Sequence, residues 1–286
     1  MTSSERKRIA IIGFGRMAEV AHLPALQKAG WEVVAVVDVT TARQRDARKL
    51  GISTVVDSVD ELIKQDVVID AVLIAAHSSV RREAALPLIE RGVHLLIEKP
   101  LAITADEAEA ICNACDDAKV KLSVYHNRRF DPDVMMMRAM VRDGRLGRIL
   151  SIENRSFADK PAVEFGAASF NPNWRITRKL GGGTLLDFGP HWIDQVLTLS
   201  PDLGRVKSVF ARIGHHRFGD ADDDFLINLV FESGSHALIS KTDVCPIAPN
   251  YKWLVIGEHG SAIFRDDRIT FRDFKGAEHT IDQQGE

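Results

Sequence analysis

The sequence has little of what marks a disulfide-bonded, membrane-spanning or nucleic-acid-binding protein. Its 286 residues include only three cysteines, an odd and small number that argues against a disulfide framework and favours a reducing, cytoplasmic setting. No window of about 18 uncharged apolar residues occurs, so we expect no membrane-spanning helix. The 37 basic and 40 acidic side chains leave a formal net charge of -3, which gives no indication of a surface that binds nucleic acid.

Two further absences concern metals and export signals. Cys112 and Cys115 form a C-x-x-C pair within a segment of helical composition. No second cysteine pair or histidine cluster lies near enough in sequence to complete a zinc site, so we expect two thiols on a helix and no metal. The apolar run from Ile9 to Gly13 is too short for the core of a signal peptide.

The hydrophobic pattern changes near residue 126, in a chain whose length suits two domains. Before that point, continuous Val/Ile/Leu runs alternate with longer helical patterns, which is typical of parallel strands covered by helices on both faces. Beyond it, apolar and polar residues alternate, which indicates a sheet with one solvated face and therefore mostly antiparallel strands. We predict an α/β protein with a doubly wound parallel Rossmann sheet in residues 1–125. Residues 126–286 are predicted to form an α+β domain on a large open, mostly antiparallel sheet.

The individual elements follow from the same patterns. In the first domain the predicted strands are 8–12, 32–37, 54–56, 69–75, 93–97 and 121–124, and the predicted helices are 17–29, 42–50, 59–65, 80–91 and 105–119. In the second domain we predict one helix at 131–143, another that follows the glycines at 181–183, and strands at 148–157, 206–213, 225–231, 236–242, 252–256, 262–264 and 268–271.

A glycine-rich motif, Gly13-Phe14-Gly15-Arg16-Met17-Ala18, joins the first predicted strand to the first predicted helix. In this context the first glycine permits a tight turn, the second lets a pyrophosphate approach the backbone, and the alanine allows close helix–strand packing. Free N–H groups at the helix N-terminus would bind the phosphates. The motif therefore predicts a dinucleotide site.

Asp38 ends the second predicted strand, roughly 20 residues after the glycine motif, where an acid accepts hydrogen bonds from the adenosine ribose. Because an acid at this position repels a 2′-phosphate, it favours NAD over NADP. The alternative interpretation is that Asp38 is a turn residue or an acid at a helix N-terminus. Arg43 and Arg45 lie close by in sequence and leave NADP open.

Lys99 follows the fifth predicted strand, at the edge where open α/β sheets bind ligands. A lysine there can donate a hydrogen bond to a substrate oxygen or exchange a proton, although most lysines at strand ends are ordinary surface residues. Pro100 restricts the backbone directly after Lys99 and makes a cis peptide bond accessible.

The most informative stretch is Gly-Gly-Gly-Thr-Leu-Leu-Asp-Phe-Gly-Pro-His-Trp-Ile-Asp at residues 181–194. Spacings of four and three put Asp187, His191 and Asp194 on one face of an otherwise apolar helix. Such polar groups must be satisfied or used in chemistry. Asp187 alone also fits a capping-box variant with Thr184 as the N-cap, and His191 alone fits a satisfied core histidine. Capping does not explain why the polar face continues, and a zinc site would lack a third ligand.

Taken in order, the motifs resemble those of the glucose–fructose oxidoreductase, inositol dehydrogenase and rhizopine catabolism (Gfo/Idh/MocA) family. The resemblance runs from Ile9 to about Phe271 and rests on Gly13-x-Gly15-x-x-Ala18, Gly92-Val93-His94-x-x-x-Glu98-Lys99-Pro100, Arg128-Arg129-Phe130, Trp174-Arg175 and the 181–194 stretch. The family often has Thr-Pro-Asn where this chain has Ala75-Ala76-His77-Ser78. Many members are also longer, so we expect this chain to lack a final helix and strand.

The resemblance implies a site between a Rossmann domain and a sheet-based second domain, and homo-oligomers joined through that sheet. It implies a catalytic set of Lys99, Asp187 and His191. The implied substrate pocket contains Arg128, Trp174 and Arg175, and the implied cofactor site contains Gly13, Phe14, Gly15, Arg16, Met17, Asp38, Ala75, His77, Glu98 and Lys99.

The activity expected from these residues is NAD(P)-dependent oxidoreduction of a CH–OH group in a sugar, cyclitol or related polyol. His191 would take the hydroxyl proton because unperturbed imidazole titrates near neutrality. Asp187 would orient the imidazole, Lys99 would offset alkoxide charge, and the hydride would pass to nicotinamide. Two alternatives stay open, a non-catalytic NAD(P)-binding sensor or regulator and a C=C or C=N reductase on the same fold.

Overall fold

The computed structural model describes residues 6–162 and 173–282, which divide into two compact units. The first unit contains the chain as far as Tyr125, and the second begins at His126. Trp174 and Lys179–Gly181 group with the first unit, whereas Arg175–Arg178 and the chain from Gly182 group with the second. Within the described ranges, no helix combines the length and the apolarity that a membrane span requires. The terminal residues 283–286, on which the expectation of a shortened chain rests, lie outside the described residues.

The first unit is built on a six-stranded, all-parallel sheet with the strand order β3-β2-β1-β4-β5-β6. Its strands are β1 (Arg8–Ile12), β2 (Glu32–Val37), β3 (Thr54–Val56), β4 (Ala71–Ile74), β5 (His94–Glu98) and β6 (Leu122–Tyr125). Its α-helices are α1 (Leu23–Lys28), α2 (Thr41–Lys49), α3 (Val59–Lys64), α4 (Arg81–Ile89) and α5 (Ala105–Ala118), with a 3-10 turn at Ser78–Val80. The order reverses between β1 and β4, which is the switch point of a doubly wound fold. The predicted Rossmann sheet is confirmed.

The continuous apolar runs of this sheet follow from its two covered faces. Along β1, Ile9 and Ile11 belong to one buried cluster, whereas Ala10 and Ile12 belong to another. All four residues of β4, Ala71–Ile74, are buried. Since neither face meets water, no polar residue alternates along these strands, and polar side chains collect at the strand ends.

The helix after the glycine loop differs from the predicted continuous helix over residues 17–29. It is π-helical over Ala18–His22 and α-helical only over Leu23–Lys28. Pro24 stands at the start of the α-helical part, where a residue without an N–H is tolerated. Because Pro24 cannot donate to the carbonyl one turn earlier, the hydrogen-bond ladder changes where it enters.

The second unit is built on an eight-stranded sheet with the order β14-β13-β12-β11-β7-β10-β9-β8. Its strands are β7 (Ile149–Phe157), β8 (Val206–Gly214), β9 (Asp224–Phe231), β10 (His236–Thr242), β11 (Trp253–Gly257), β12 (Gly260–Arg265), β13 (Arg268–Asp273) and β14 (Glu278–Asp282). Its α-helices are α6 (Pro132–Arg142) and α7 (Thr184–Leu197), and it contains 3-10 turns at Asn127–Phe130 and Pro201–Leu203. The 3-10 turns Trp174–Ile176 and Arg178–Leu180 each contain residues of both units. Every pairing is antiparallel except that of β7 with β10, which confirms the predicted open, mostly antiparallel sheet.

One strand of this sheet has no clear signal in the sequence. All five residues of β14 are exposed, and the strand pairs only with β13 at the edge of the sheet. Only one of its five residues, Ile281, is apolar, so the segment shows no alternation of apolar and polar residues. Sequence analysis therefore missed it.

Strand β10 shows how the sheet divides its residues between two faces. Ala237, Ile239 and Lys241 are buried, and the residues between them are half-buried. Ile239 belongs to the same buried cluster as Trp192 and Val196 of α7. The cluster lies on the helix-covered face, so its members carry most of the stability of this unit.

We predict that Ile239→Ala lowers the free energy of unfolding by about 3 kcal/mol, because it leaves a cavity in a packed core. The neighbouring change Ser240→Ala, on the opposite face, is expected to cost less than roughly 0.5 kcal/mol. Urea denaturation of both variants checks this pair. Equal losses would contradict the assignment of the two faces.

Candidate active site

The glycine loop is shaped by close packing on one side and open space on the other. Gly13 has a φ of 84°, and a Cβ there would lie 2.5 Å from the Cα of Ala76 in the turn after β4. Gly15 differs, because a Cβ there would meet nothing within 4 Å. The loop thus leaves its backbone approachable at Gly15, beside a helix N-terminus whose first amides have no partner within the helix.

Phe14 is held through both of its backbone polar groups. Its N–H donates to Asp38 Oδ2 at 2.8 Å, and its carbonyl accepts from Arg43 Nε at 2.6 Å. Arg43 also binds Glu19 at 2.6 Å and lies 5.3 Å from the centre of the buried Phe14 ring. Arg16 and Met17, at the start of the following helix, are exposed.

Asp38 has the turn role that the sequence left as an alternative. In addition to the Phe14 bond, its Oδ1 accepts from the Thr40 N–H at 2.8 Å and from the Thr40 hydroxyl at 2.7 Å. A carboxylate offers about four acceptor positions. The turn and the glycine loop use three of them, which leaves Asp38 about one position for a ribose hydroxyl.

Lys99 is half-buried at the end of β5, and its peptide bond to Pro100 is cis. The preceding carboxylate, Glu98, accepts from the Lys99 N–H at 3.2 Å and lies 2.7 Å from Nε2 of the buried His22. The His22 ring lies 4.5 Å from the ring of Tyr125, and burial together with the charge of Glu98 raises the pKa of that phenol. Glu98 therefore supports the backbone of Lys99 from within the first unit.

The turn after β4 carries the other residues assigned to the cofactor. Ala75 extends the sheet, since its N–H donates to the Ile12 carbonyl at 2.8 Å. His77 Nδ1 lies 3.0 Å from the Ser79 hydroxyl, and the imidazole meets the Trp174 ring edge-on at 5.0 Å. Burial, and secondarily the charge of Arg81, lowers the pKa of His77 to about 4. At neutral pH the His77 imidazole is therefore uncharged.

The N-terminus of α7 is capped by a distant loop, so the alternative interpretation with Thr184 as the N-cap does not hold. Gly183 is the N-cap, and no side chain of α7 supplies a capping bond. Instead the Thr184 N–H donates to the Asp222 carbonyl at 2.9 Å, and the Leu185 N–H donates to Asp222 Oδ2 at 2.7 Å. A Cβ at Gly183 would lie 2.0 Å from Asp222 Oδ1. Because Asp222 binds the Thr184 and Leu185 amides, the Asp187 carboxylate is not needed as a cap.

The Asp187 carboxylate instead forms an ion pair with Arg175. Arg175 Nε lies 2.9 Å from Asp187 Oδ2, and the two side chains are only 15% and 10% exposed. His191, one turn farther along α7, is buried as well. The structure thus pairs Asp187, for which the resemblance implied a catalytic role, with Arg175, which the resemblance placed in the substrate pocket.

Asp194, the third member of the polar face, serves the packing of the second unit. It accepts two hydrogen bonds from Arg129, at 3.0 Å from Nε and 2.5 Å from Nη2. The pair ties α7 to the turn at Asn127–Phe130. The polar face of α7 therefore has two parts. Asp187 and His191 are candidate catalytic residues, whereas Asp194 forms a structural ion pair with Arg129.

Arg128 lies beside the aromatic side chains of α7. Its guanidinium is 5.9 Å from the centres of both the Phe188 and the Trp192 rings, and its side chain is 40% exposed. The Arg128 carbonyl accepts from Gln195 Nε2 at 2.7 Å, which fixes the backbone. Within the part of the chain that the structure describes, the Arg128 guanidinium forms one ion pair, with Asp131 at 3.4 Å.

Sequence analysis missed a buried ion pair beneath α7. Lys241 and Asp243 are buried and paired, and Lys241 Nζ lies 5.0 Å from the centre of the Phe188 ring. Burial raises the pKa of Asp243, Lys241 opposes this shift, and the nearby charge of Asp187 adds to it. The available signal was a lysine at a position of β10 where the apolar alternation demands a hydrophobic residue.

Comparison with known proteins gives a consistent result for both units. Residues 7–126 match the family model described as oxidoreductase family, NAD-binding Rossmann fold, and residues 134–263 match the Gfo/Idh/MocA C-terminal domain. The chain belongs to the Gfo/Idh/MocA family. This confirms the resemblance inferred from the five motifs.

Individual relatives of this Gfo/Idh/MocA protein act on polyols or bind NAD according to their names. It is 31% identical over 206 residues to scyllo-inositol 2-dehydrogenase (NADP(+)) of Bacillus subtilis, covering 72% of this chain and 54% of that protein. It is 30% identical over 233 residues to 1,5-anhydro-D-fructose reductase of Ensifer adhaerens, covering 79% and 66%. The crystal structure of an NAD-binding protein from Listeria innocua is similar with a TM-score of 0.83 at 26% identity, covering 98% of this chain and 82% of that one. The chain thus spans about half the length of the inositol dehydrogenase that it matches.

We predict that Arg175→Met lowers the free energy of unfolding by about 3 kcal/mol, because it removes the guanidinium from a mostly buried carboxylate. In an Asp187→Asn background the same change should cost less than about 1 kcal/mol. Urea denaturation of the four proteins measures the coupling, and Arg178→Met, at an exposed position nearby, is the control. Equal costs in the two backgrounds would show that the pair is not coupled.

Proposed function

We propose that this protein is an NAD(P)-dependent oxidoreductase that acts on a secondary alcohol of a sugar, cyclitol or related polyol. The observation that carries the proposal is the mostly buried ion pair between Arg175 and Asp187. Asp187 stands on α7, the helix that also contains the buried His191. Family membership supports it, as do the names of the inositol dehydrogenase and the anhydrofructose reductase. We assign residues 1–125 to dinucleotide binding and residues 126–286 to substrate binding and oligomerisation.

The residues of the first unit suit a dinucleotide. The open space at Gly15 and the adjoining helix N-terminus suit a pyrophosphate. We propose that the cofactor is held by the glycine loop from Gly13 to Met17 and by Asp38, Ala75, His77, Glu98 and Lys99. The remaining acceptor capacity of Asp38 favours NAD, and the NADP named for the inositol dehydrogenase leaves NADP as the alternative. Bound nicotinamide supplies the hydride acceptor or donor.

Each candidate catalytic side chain then has a defined task. His191 takes up the proton of the reacting hydroxyl, and Asp187 stabilises the charged imidazole. Arg175 holds the Asp187 carboxylate in place. Lys99 donates a hydrogen bond to the same oxygen and offsets its developing negative charge. Arg128 and Trp174 contact the remaining hydroxyl groups.

We further propose a cytoplasmic homo-oligomer assembled through the sheet of the second unit. The edge strand β8 exposes Val209, Phe210 and Ile213 to 62%, 66% and 53%. Several large apolar side chains exposed on one strand are typical of a protein interface. The low cysteine content supports the compartment. Neither a membrane nor a nucleic acid is proposed as a partner.

The proposal is tested by following the absorbance of reduced nicotinamide with both cofactors against a library of inositols, aldoses, enones and imines. Turnover of at least one polyol is the expected result. Turnover confined to enones or imines would replace the proposal with a C=C or C=N reductase. Nucleotide binding without turnover of any compound would favour a sensor or regulator.

Once a substrate is known, we predict that Lys99→Ala lowers kcat by at least about 100-fold, because a donor to the reacting oxygen is lost. The dissociation constant of the reduced nucleotide, measured by fluorescence titration, should change by less than about 3-fold, because the other residues proposed to hold the cofactor remain. Lys121→Ala, at an exposed position near β6, is the matched control and should leave both values unchanged. An unaltered kcat in the Lys99 variant would remove this residue from the mechanism.

The cofactor preference gives a separate prediction. Asp38→Ala should raise the ratio of kcat/KM with NADP to that with NAD by about 10-fold, because a charge that repels the 2′-phosphate is removed. Affinity for both cofactors should also fall, since the Phe14 N–H loses its acceptor. Asp57→Ala, at an exposed position after β3, is the control. A constant ratio would show that the carboxylate serves the turn alone.

A further inference from the structure

Arg81 is a buried arginine whose hydrogen bonds go to backbone carbonyls. It begins α4 and is only 6% exposed. Its Nε donates to the Ala76 carbonyl at 2.9 Å, and its Nη1 donates to the carbonyls of Glu98, at 2.5 Å, and Pro100. No part of the catalytic scheme described above uses this residue.

The three carbonyls that accept from Arg81 lie in two turns, one after β5 and one after β4. The carbonyls of Glu98 and Pro100 stand on either side of Lys99. The Ala76 carbonyl belongs to the turn after β4, against which Gly13 packs. One guanidinium therefore joins the turn that carries Lys99 to the turn that supports the glycine loop.

Arginine has the chemistry that this position requires. Its planar head presents several N–H donors in a fixed fork, whereas a lysine presents a single point charge. A buried cation is costly unless its donors are satisfied, so the three carbonyls stabilise Arg81 as much as Arg81 stabilises them. Burial lowers the pKa of Arg81 to about 10 and the charge of Glu98 opposes that shift, so the guanidinium is protonated at neutral pH.

We propose that Arg81 is a positioning residue for Lys99. By binding the carbonyls on both sides of Lys99, it fixes the backbone from which the lysine reaches the reacting oxygen. Small displacements of a catalytic group are costly in rate, because the geometry of approach is lost. This inference rests on the proposed function of Lys99, and it assigns the effect of Arg81 on turnover to the position of the Lys99 side chain.

The kinetic test is a double-mutant cycle on the full chain. Arg81→Gln should lower kcat by about 10- to 100-fold, while the dissociation constant of the reduced nucleotide changes by less than about 3-fold. In a Lys99→Ala background, Arg81→Gln should lower kcat by no more than about 2-fold. Arg82→Gln, at the exposed neighbouring position, is the control and should leave kcat unchanged. An undiminished loss in the Lys99→Ala background would overturn the proposal.

A second measurement does not depend on turnover. Hydrogen exchange of the backbone amides in residues 98–103 should be at least about 10-fold faster in Arg81→Gln than in the wild type, with residues 8–12 of β1 unchanged. Unchanged exchange in residues 98–103 would reject the positioning role even if activity fell. If no compound turns over with the wild type, the proposed function fails, while exchange still decides whether Arg81 holds this turn.

Arg81→Lys covers the case in which the glutamine variant does not fold. It keeps the charge but loses the fork, so it should show the same direction of change in kcat and in exchange. Full activity together with wild-type exchange in Arg81→Lys would show that charge alone suffices and would refute the positioning role of the fork.

Discussion

The need to pair buried polar groups organises both units of this protein. In the first unit, helices cover both faces of the parallel sheet, and the strand interiors are therefore apolar. At the carboxyl ends of the strands, Asp38 binds the glycine loop, His77 binds Ser79 of its own turn, and Glu98 binds His22 of the helix after the glycine loop. The features that suit a nucleotide site are thus a consequence of how the core is covered.

The second unit meets the same constraint with ion pairs between segments that are distant in sequence. Helix α7 contributes Asp187 and Asp194, which bind Arg175 and Arg129. Asp222 caps its N-terminus, and a further buried ion pair lies beneath it. These partners satisfy the amides at the N-terminus of α7 and the carboxylates on its polar face. Because Asp222 caps the helix, the Asp187 carboxylate binds Arg175 and does not cap backbone amides.

Most of the fold could be predicted from the sequence because its signals are local. The bounds of β1, β2, β3 and β10 agree with the predicted ranges, since apolar runs and alternation depend only on which faces are covered. The misses have physical reasons. Strand β14 has a single apolar residue and therefore no alternation. The π-helical Ala18–His22 depends on a hydrogen-bond ladder that composition does not reveal. The group that caps α7 could not be identified from the sequence, because Asp222 lies far along the chain.

The sequence by itself determined the two sheets, the glycine loop at the end of β1, the position of Lys99 after β5 and the polar face of α7. These depend on periodicity and on short motifs, which act over a few residues. Only the tertiary structure decided the partners: Arg175 for Asp187, Arg129 for Asp194, and three carbonyls for Arg81. The type of a side chain determines which hydrogen bonds and ion pairs it can form. Long-range packing determines the partner, because buried donors and acceptors bind the groups that the fold brings within reach.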